Sequence, residues 1–244
     1  MVLTLNASAV TLAKSERESA WREMARQVAH EIKNPLTPIK LNLQYLQMAI
    51  ANNDANVPQL TTKVSNTIIQ QIDHLSTIAS DFSQFANIGN VTNTEVDVAK
   101  VLEGLQNLFN AYNTTYVNLA VNAINTIILA DATQVNRLYT NIIKNAEQAY
   151  TPDTNPKVID IAISTTNSHI KTTITDYGNG IAPEAQHKLF TPNFTTKTSG
   201  TGLGLAMVKG IVEQSQGTIT FNTALGVGTT FTIIFPLYNP NSNK

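Results

Sequence analysis

The chain has 244 residues, 42% of them hydrophobic, enough to core one or two ordinary domains. Only 14% are charged, and 16 basic against 17 acidic residues leave a net charge of −1, so no basic field exists to gather nucleic acid. Cysteine is absent, which excludes disulfides, thiolate metal sites and a cysteine nucleophile and fits a reducing compartment.

The amino-terminal MVLTLNASAV lacks the basic start and apolar core of a signal peptide. No apolar run reaches the ~18–20 residues of a membrane span, so no membrane contact is expected from this segment. A helical pattern already runs by Leu12, which leaves room for an upstream part. From there to about Ala51, Trp21, Met24, Ala25, Val28, Ile32, Leu36, Ile39, Leu43, Leu46 and Ile50 recur in steps of three and four. That spacing predicts one long helix with a packing seam. Pro35 and Pro38 interrupt it and predict a kink. Asn52–Pro58 reads as a turn. A second helix follows on Leu60, Val64, Ile68, Ile72, Leu75, Ile78, Phe82 and Phe85. One hairpin has little to bury itself against, so two copies are expected to pair into a four-helix bundle, a homodimer.

Asn87–Glu95 reads as a linker. Beyond it the pattern predicts a helix over Val98–Tyr112 and strands over Tyr116–Ala120 and Thr126–Leu129. A helix over Thr133–Tyr150 comes next, then strands over Val158–Thr166 and Ser168–Asp176. A helix starts near Leu203, and Ile219–Thr223 with Thr229–Phe235 close as a hairpin. Strands first paired, then mixed with helices, suggest a two-layer α/β sandwich. The expected divisions are a linker helix at 1–20, a hairpin domain at 21–88, a hinge at 89–95, a mixed domain at 96–238 and a disordered tail at 239–244.

Five segments point to chemistry. His30 stands in Ala29-His30-Glu31-Ile32-Lys33-Asn34-Pro35, off the apolar seam, among Arg26, Gln27, Lys33, Asn34 and Thr37. Its ring should face water, and a neutral imidazole near pH 7 is a competent nucleophile. A lone exposed histidine is ordinarily inert, and it is the surrounding string that sets this one apart. Asn141-Ile142-Ile143-Lys144-Asn145-Ala146 places two amides four residues apart on one helix face. Two neutral oxygen donors suit Mg²⁺ held mainly by phosphate and water. Two glycine strings follow, Asp176-Tyr177-Gly178-Asn179-Gly180 and Gly200-Thr201-Gly202-Leu203-Gly204, the second opening a helix whose N-terminus suits phosphate. Neither is a Walker A loop or a dinucleotide fingerprint. Between them, Leu189-Phe190-Thr191-Pro192-Asn193-Phe194-Thr195-Thr196-Lys197 suits a lid over phosphates.

The HEIKNP segment resembles the H-box of sensor histidine kinases of the nitrogen-regulation type. The strings that follow resemble the N, G1, F and G2 boxes of the ATP-binding fold shared by histidine kinases, Hsp90, gyrase and the mismatch-repair ATPases. The match covers roughly residues 20 to 237, with all boxes in family order. The resemblance implies a dimeric helical hairpin followed by a Bergerat-type α/β sandwich. It implies that His30 accepts a phosphoryl group from ATP, that Glu31 acts as base or orients the ring, and that Asn34 helps position water for dephosphorylating a partner. Adjacent helical residues do not face each other, so Glu31 would have to reach round. Asp176 would recognise the adenine amino group, Asn145 would hold Mg²⁺, and Asn141 and Lys144 would lie near the phosphates. Gly178, Gly180, Thr195, Thr196, Lys197, Gly200, Thr201, Gly202, Leu203 and Gly204 would line the nucleotide, with Thr229 supporting the adenine end. The implied partner is an aspartate on a separate response-regulator receiver domain. The implied location is the cytoplasm, with an upstream membrane sensor compatible with it. Gln148 departs from the lysine of many relatives, which puts phosphate affinity in doubt.

Three other readings stay open: a nucleotide-driven machine like Hsp90 or gyrase, a pseudokinase dimerisation module, and a serine kinase of the anti-sigma type. The first and last leave the histidine hairpin unexplained, and the intact boxes argue against the second. His74, His169 and His187 are expected to be structural or solvated, and Trp21 to be a packing residue.

Overall fold

The structure is a computed structural model that describes residues 2–86, 92–111, 114–151, 153–192, 194–197 and 202–239. The chain forms a helical unit within residues 1–84 and a mixed unit holding residues 85–196 and 202–244. Among the described residues no helix is long and apolar enough to cross a membrane.

The helical unit is a hairpin of α1 (Val2–Ala51) and α2 (Val57–Ala86). Helix α1 stays helical through Pro35 and Pro38, where the sequence predicts a kink. Side chains take up carbonyls beside the prolines: the Thr37 hydroxyl donates to Lys33 O (3.1 Å) and the Asn42 amide to Pro38 O (2.8 Å). The turn is shaped by Asn53 at φ 50° and by Asp54, whose carboxylate accepts from the Asn56 N–H at 2.8 Å. Of the predicted seam, Val28, Val64 and Ile78 are buried, whereas Leu36, Leu43, Ile50 and Ile72 remain 44–55% exposed. The side chains of residues 1–24, Trp21 and Met24 among them, lie outside the described residues.

The mixed unit runs β1 (Thr94–Asp97), α3 (Val98–Asn110), β2 (Thr115–Asn122), β3 (Ile127–Ala130), α4 (Ala132–Glu147), β4 (Lys157–Thr165), β5 (His169–Asp176), α5 (Pro183–Gln186), α6 (Gly204–Gln214), β6 (Thr218–Ala224) and β7 (Gly228–Pro236). Five strands form one sheet in the order β2-β4-β5-β7-β6, with β2 parallel to β4 and the other pairs antiparallel. Alternation fixes the inner face: Ile159, Ile161 and Ile163 of β4, Ile170 and Ile174 of β5, and Phe231, Ile233 and Phe235 of β7 are buried. Helices α3, α4 and α6 pack on that face and supply Leu102, Leu138, Ile142, Ile143, Val208 and Ile211 to the core. Buried Tyr139 bridges the layers through its hydroxyl to Thr172 Oγ1 at 3.1 Å.

Two features differ from the sequence expectation. Consecutive strands β2 and β3 do not pair; β3 instead forms a separate antiparallel ribbon with β1, Thr94 opposite Ala130 and Asp97 opposite Ile127. Thr94 and Glu95, assigned to the linker on composition, are therefore sheet residues. A four-residue strand carries too short a pattern to be read, and its partner lies thirty or more positions away. The ribbon is tied at its other end, where the Tyr238 N–H donates to Ile127 O at 2.8 Å. Of the expected hinge and tail, residues 87–91 and 240–244 lie outside the described residues.

Candidate functional site

Helix α1 carries His30 on a polar face: Arg26, His30, Lys33, Asn34 and Thr37 are all exposed, and Glu31 is half-buried. A helix places positions 30, 34 and 37 on one side, so the imidazole and the Asn34 amide share a surface. Just beyond them, Lys33, Leu36, Thr37, Lys40, Leu41 and Gln44 line a concavity of about 470 Å³. His74 on α2 is half-buried, His187 is exposed at the end of α5, and His169 bonds its neighbour Ser168 at 2.7 Å.

In the mixed unit the site gathers at the ends of β5 and β7. Positions 170, 172, 174 and 176 of β5 all point inward, so Asp176 closes the inward register and the residue is 3% exposed. Its sheet neighbours are Ile159 and Thr229. One carboxylate oxygen accepts from the backbone N–H of Gly178 (3.0 Å) and of Thr229 (3.3 Å). A buried carboxylate held this way is an acceptor fixed in place, suited to an amino group on a planar ring.

Thr229 is 4% exposed, and its hydroxyl lies 3.0 Å from that of Thr223. Thr223 donates its own proton to Gly228 O and accepts from the Ile181 N–H, so Thr229 is left as donor to Thr223. Thr223 thus ties the two strand ends to the chain leaving the first glycine string, and sequence reasoning missed it. The signal that could have found it is Leu225-Gly226-Val227 between two alternating runs, a three-residue hairpin loop that sets Thr223 opposite Thr229.

The first glycine string lies between the end of α4 and the β6–β7 turn. The Asn179 N–H donates to Ala149 O at 2.9 Å, and Asn179 O accepts from the Gly226 N–H at 2.8 Å. A Cβ on Gly178 would sit 2.5 Å from Ala149 O, so no larger residue fits there without displacing backbone. Gly180 turns the chain at φ 68°. Tyr150 is a second residue that sequence reasoning did not single out: its hydroxyl accepts from the Tyr177 N–H at 3.0 Å and donates to Val158 O. Burial, with further push from Asp176 and Asp160, raises its pKa, which keeps the donor proton in place.

Helix α4 turns Asn141 and Asn145, both half-buried, away from the core face formed by Leu138, Ile142 and Ile143. Lys144 is exposed in its last turn. Opposite stands the N-terminus of α6, where Leu203 provides no side-chain cap. A Cβ on Gly204 would sit 3.1 Å from the Asn141 carbonyl oxygen, so the two helices meet at these residues. An amide oxygen beside a helix N-terminus, with a second amide one turn further along α4, suits a polyphosphate with a divalent cation. No group of His, Cys, Asp or Glu among the described residues could hold a metal by itself, so such a cation would depend on the amides and the phosphates.

The lid residues are partly described. Leu189 is buried, and Phe190 packs edge-on to Phe221 with centroids 5.9 Å apart. Thr195 and Thr196 are exposed, and Lys197 ends the described stretch. Of the second string, Gly202 (φ 66°), Leu203 and Gly204 are described, while Gly200 and Thr201 lie outside the described residues.

Two family models match the chain in series. Residues 20–91 match the His Kinase A (phospho-acceptor) domain, and residues 130–239 the histidine kinase-, DNA gyrase B-, and HSP90-like ATPase. The chain is similar to the sensor histidine kinase ZraS of Escherichia coli K12, 32% identical over 92% of this chain and 47% of that protein. It is also similar to the nitrogen regulation protein NtrY of Azorhizobium caulinodans, 30% identical over 87% of this chain and 28% of that one. The chain thus spans less than half the length of either. Among solved structures, histidine kinase ThkA in complex with the response regulator protein TrrA shares the fold, at TM-score 0.71 and 23% identity over 92% of this chain and 64% of that one. The Acinetobacter baumannii histidine kinase AdeS does so at TM-score 0.63 and 22% identity, covering 86% of this chain and 98% of that one. With an exposed histidine on a long helix and the phospho-acceptor and ATPase family models matched in that order, the chain belongs to the sensor histidine kinases and comprises their catalytic core.

Proposed function

We propose that this chain is an ATP-dependent protein-histidine autokinase that phosphorylates His30 and hands the phosphoryl group to a response regulator. The observation that carries the reading is the pairing of two parts in one chain. One is an exposed His30 on a polar helix face; the other is a separate fold whose buried Asp176 and amide-lined α4–α6 junction suit ATP.

In this reading Asp176 accepts from the adenine amino group, with Thr229 and Thr223 holding the strand ends beside it. The α6 N-terminus, Asn141 and Lys144 receive the phosphates, and Gly178, Gly180, Gly200, Thr201, Gly202, Leu203, Gly204, Thr195, Thr196 and Lys197 surround them. Mg²⁺, held by Asn145 and phosphate oxygens, supplies charge neutralisation when bound. A neutral ring nitrogen of His30 attacks the γ-phosphorus while the bond to the β-phosphate oxygen breaks and ADP leaves. Glu31 orients the ring or takes its proton. Catalysis is chiefly positioning and electrostatic stabilisation.

The P–N bond is reactive, so the phosphoryl group passes to an aspartate carboxylate of a receiver domain and His30 is regenerated. The mixed basic and apolar concavity beside His30 supports docking of such a domain. Asn34, on the same face, would orient water for hydrolysing the aspartyl phosphate of that partner, which releases inorganic phosphate. The exposed seam residues Leu43, Ile50 and Ile72 support a homodimer through α1 and α2. The ATP requirement puts this core in the cytoplasm, either free or tethered through an upstream membrane sensor. Residues 1–20 are read as a signalling helix, 21–88 as the dimerisation and phosphotransfer domain, and the segment around 89–93 as the hinge.

The test is incubation with γ-labelled ATP and Mg²⁺ beside a His30→Gln variant. Acid-labile, base-stable label that disappears in the variant is expected. Label that persists in the variant means another nucleophile, and steady ATP hydrolysis without label returns the chain to the gyrase-like ATPases.

A further inference from the structure

Asp131 lies at a junction no box describes. It follows β3 directly and is the N-cap of α4, the helix that carries Asn141 and Asn145. One carboxylate oxygen accepts from the N–H groups of Thr133 (2.9 Å) and Gln134 (3.1 Å), the ordinary capping pattern. The other oxygen does something separate: it accepts from the backbone N–H of Thr92 at 3.1 Å. Thr92 is thirty-nine positions away in sequence. It is the first described residue after the 87–91 stretch that leads from the helical unit.

The register explains the contact. In the β1–β3 ribbon Thr94 stands opposite Ala130, so an antiparallel ladder continued one rung further would bring Thr92 beside the start of α4. There β3 gives way to helix and offers no strand carbonyl. The Asp131 carboxylate takes that rung instead. A single side chain therefore holds both the first turn of α4 and the point where the linker enters the mixed unit. Burial pushes the Asp131 carboxyl up, but the N–H groups of Thr92, Gln134 and Thr133 and nearby Arg137 outweigh it and hold it below its ordinary value.

We infer that Asp131 is a positioning residue for phosphoryl transfer. It clamps Thr92 to the helix bearing Asn141 and Asn145, so that a displacement of the backbone at Thr92 is delivered to the nucleotide site with α4. The inference rests on the autokinase reading. It assigns Asp131 no contact with ATP or with His30. Its effect belongs on the rate of transfer between units, not on nucleotide affinity.

Asp131→Asn separates the two jobs. Asparagine caps a helix about as well as aspartate; with its carbonyl in the capping position, an N–H₂ donor replaces the oxygen that accepts from Thr92 and cannot take that rung. In the full chain, the Thr92 amide is expected to exchange with solvent about tenfold faster, as for loss of a charge-assisted bond. The autophosphorylation rate at saturating ATP is expected to fall about three- to tenfold, with ATP affinity within twofold of wild type. Thr92→Pro deletes the donor and leaves the cap untouched. It should give the same rate loss, and the double variant should lose no more than either single one. Unchanged exchange at Thr92, an unchanged rate, or a rate loss that tracks a loss of ATP affinity would each overturn the inference. If the wild-type chain makes no phosphohistidine, the autokinase reading fails by itself, while exchange at Thr92 still decides whether the clamp exists.

Discussion

Asp176 shows how much chemistry one buried side chain can hold when the sheet aims it. Its carboxylate is fixed by two backbone donors and excluded from water. Asp176→Asn keeps an oxygen for those donors but puts an N–H₂ group where the adenine amino group is expected to donate. ATP affinity should fall at least about tenfold, the scale of one unmatched buried polar contact, with little change in the folded state. Titration calorimetry with ATP checks this, and an unchanged affinity would remove Asp176 from adenine recognition. Gly178→Ala is a different kind of change. The added carbon meets Ala149 O at 2.5 Å, so either the glycine string or the end of α4 must move. Overpacking of this kind costs about 1–3 kcal/mol, read as a lower Tm, and the displaced string should weaken ATP binding as well.

At the scale of elements, two helices of the mixed unit start on an aspartate. Asp97 caps α3 through the Ala99 and Lys100 N–H groups and also receives the Thr126 hydroxyl. Partial burial pushes its carboxyl up, but those donors outweigh it and hold the pKa below the ordinary 3.8. The sign follows: a group that ionises more readily folded than unfolded stabilises the fold above the unfolded pKa and loses that contribution as pH falls. Stability from Asp97 should be full at neutral pH and fade from about pH 5 downward through the ordinary carboxylate range. Asp97→Asn, which caps without titrating, should show a shallower decline of Tm over that interval. Asp97→Ala should cost about 1 kcal/mol at pH 7. A Tm–pH curve of Asp97→Asn parallel to wild type would mean that other carboxylates govern the acid limb.

For the whole molecule, the proposed homodimer would pair through the seam of α1 and α2. Leu43 and Ile72 are 44% and 50% exposed on the single chain, a poor arrangement for residues of that size in water. Leu43→Glu with Ile72→Glu should convert a dimer to monomer in sedimentation while leaving nucleotide binding by the mixed unit intact. A double variant that still sediments as a dimer would mean that the copies pair through another surface.

Much of this chain is legible locally. The three- and four-residue steps of α1 and α2, the alternation of β5 and β7, and the glycine strings all lie within a few turns or strand lengths, so periodicity and short-range sterics were enough to read them. His30 was singled out by the string around it, and its exposure was legible because the polar face is a property of one helix. What stayed hidden depends on pairing across distance. That β2 and β3 would part company, that Thr94 and Glu95 would become a strand, and that Asp131 would take up the Thr92 N–H are settled by a register joining segments thirty or more positions apart. The same holds for Thr223, which matters only because the β6–β7 register sets it beside Thr229. Local sequence thus determined most of the elements and which residues are proposed to carry nucleophile and nucleotide chemistry. Tertiary structure alone decided which backbone donors and hydroxyls hold those residues in place, because an unpaired N–H or carboxylate is satisfied by whatever the completed fold brings within reach.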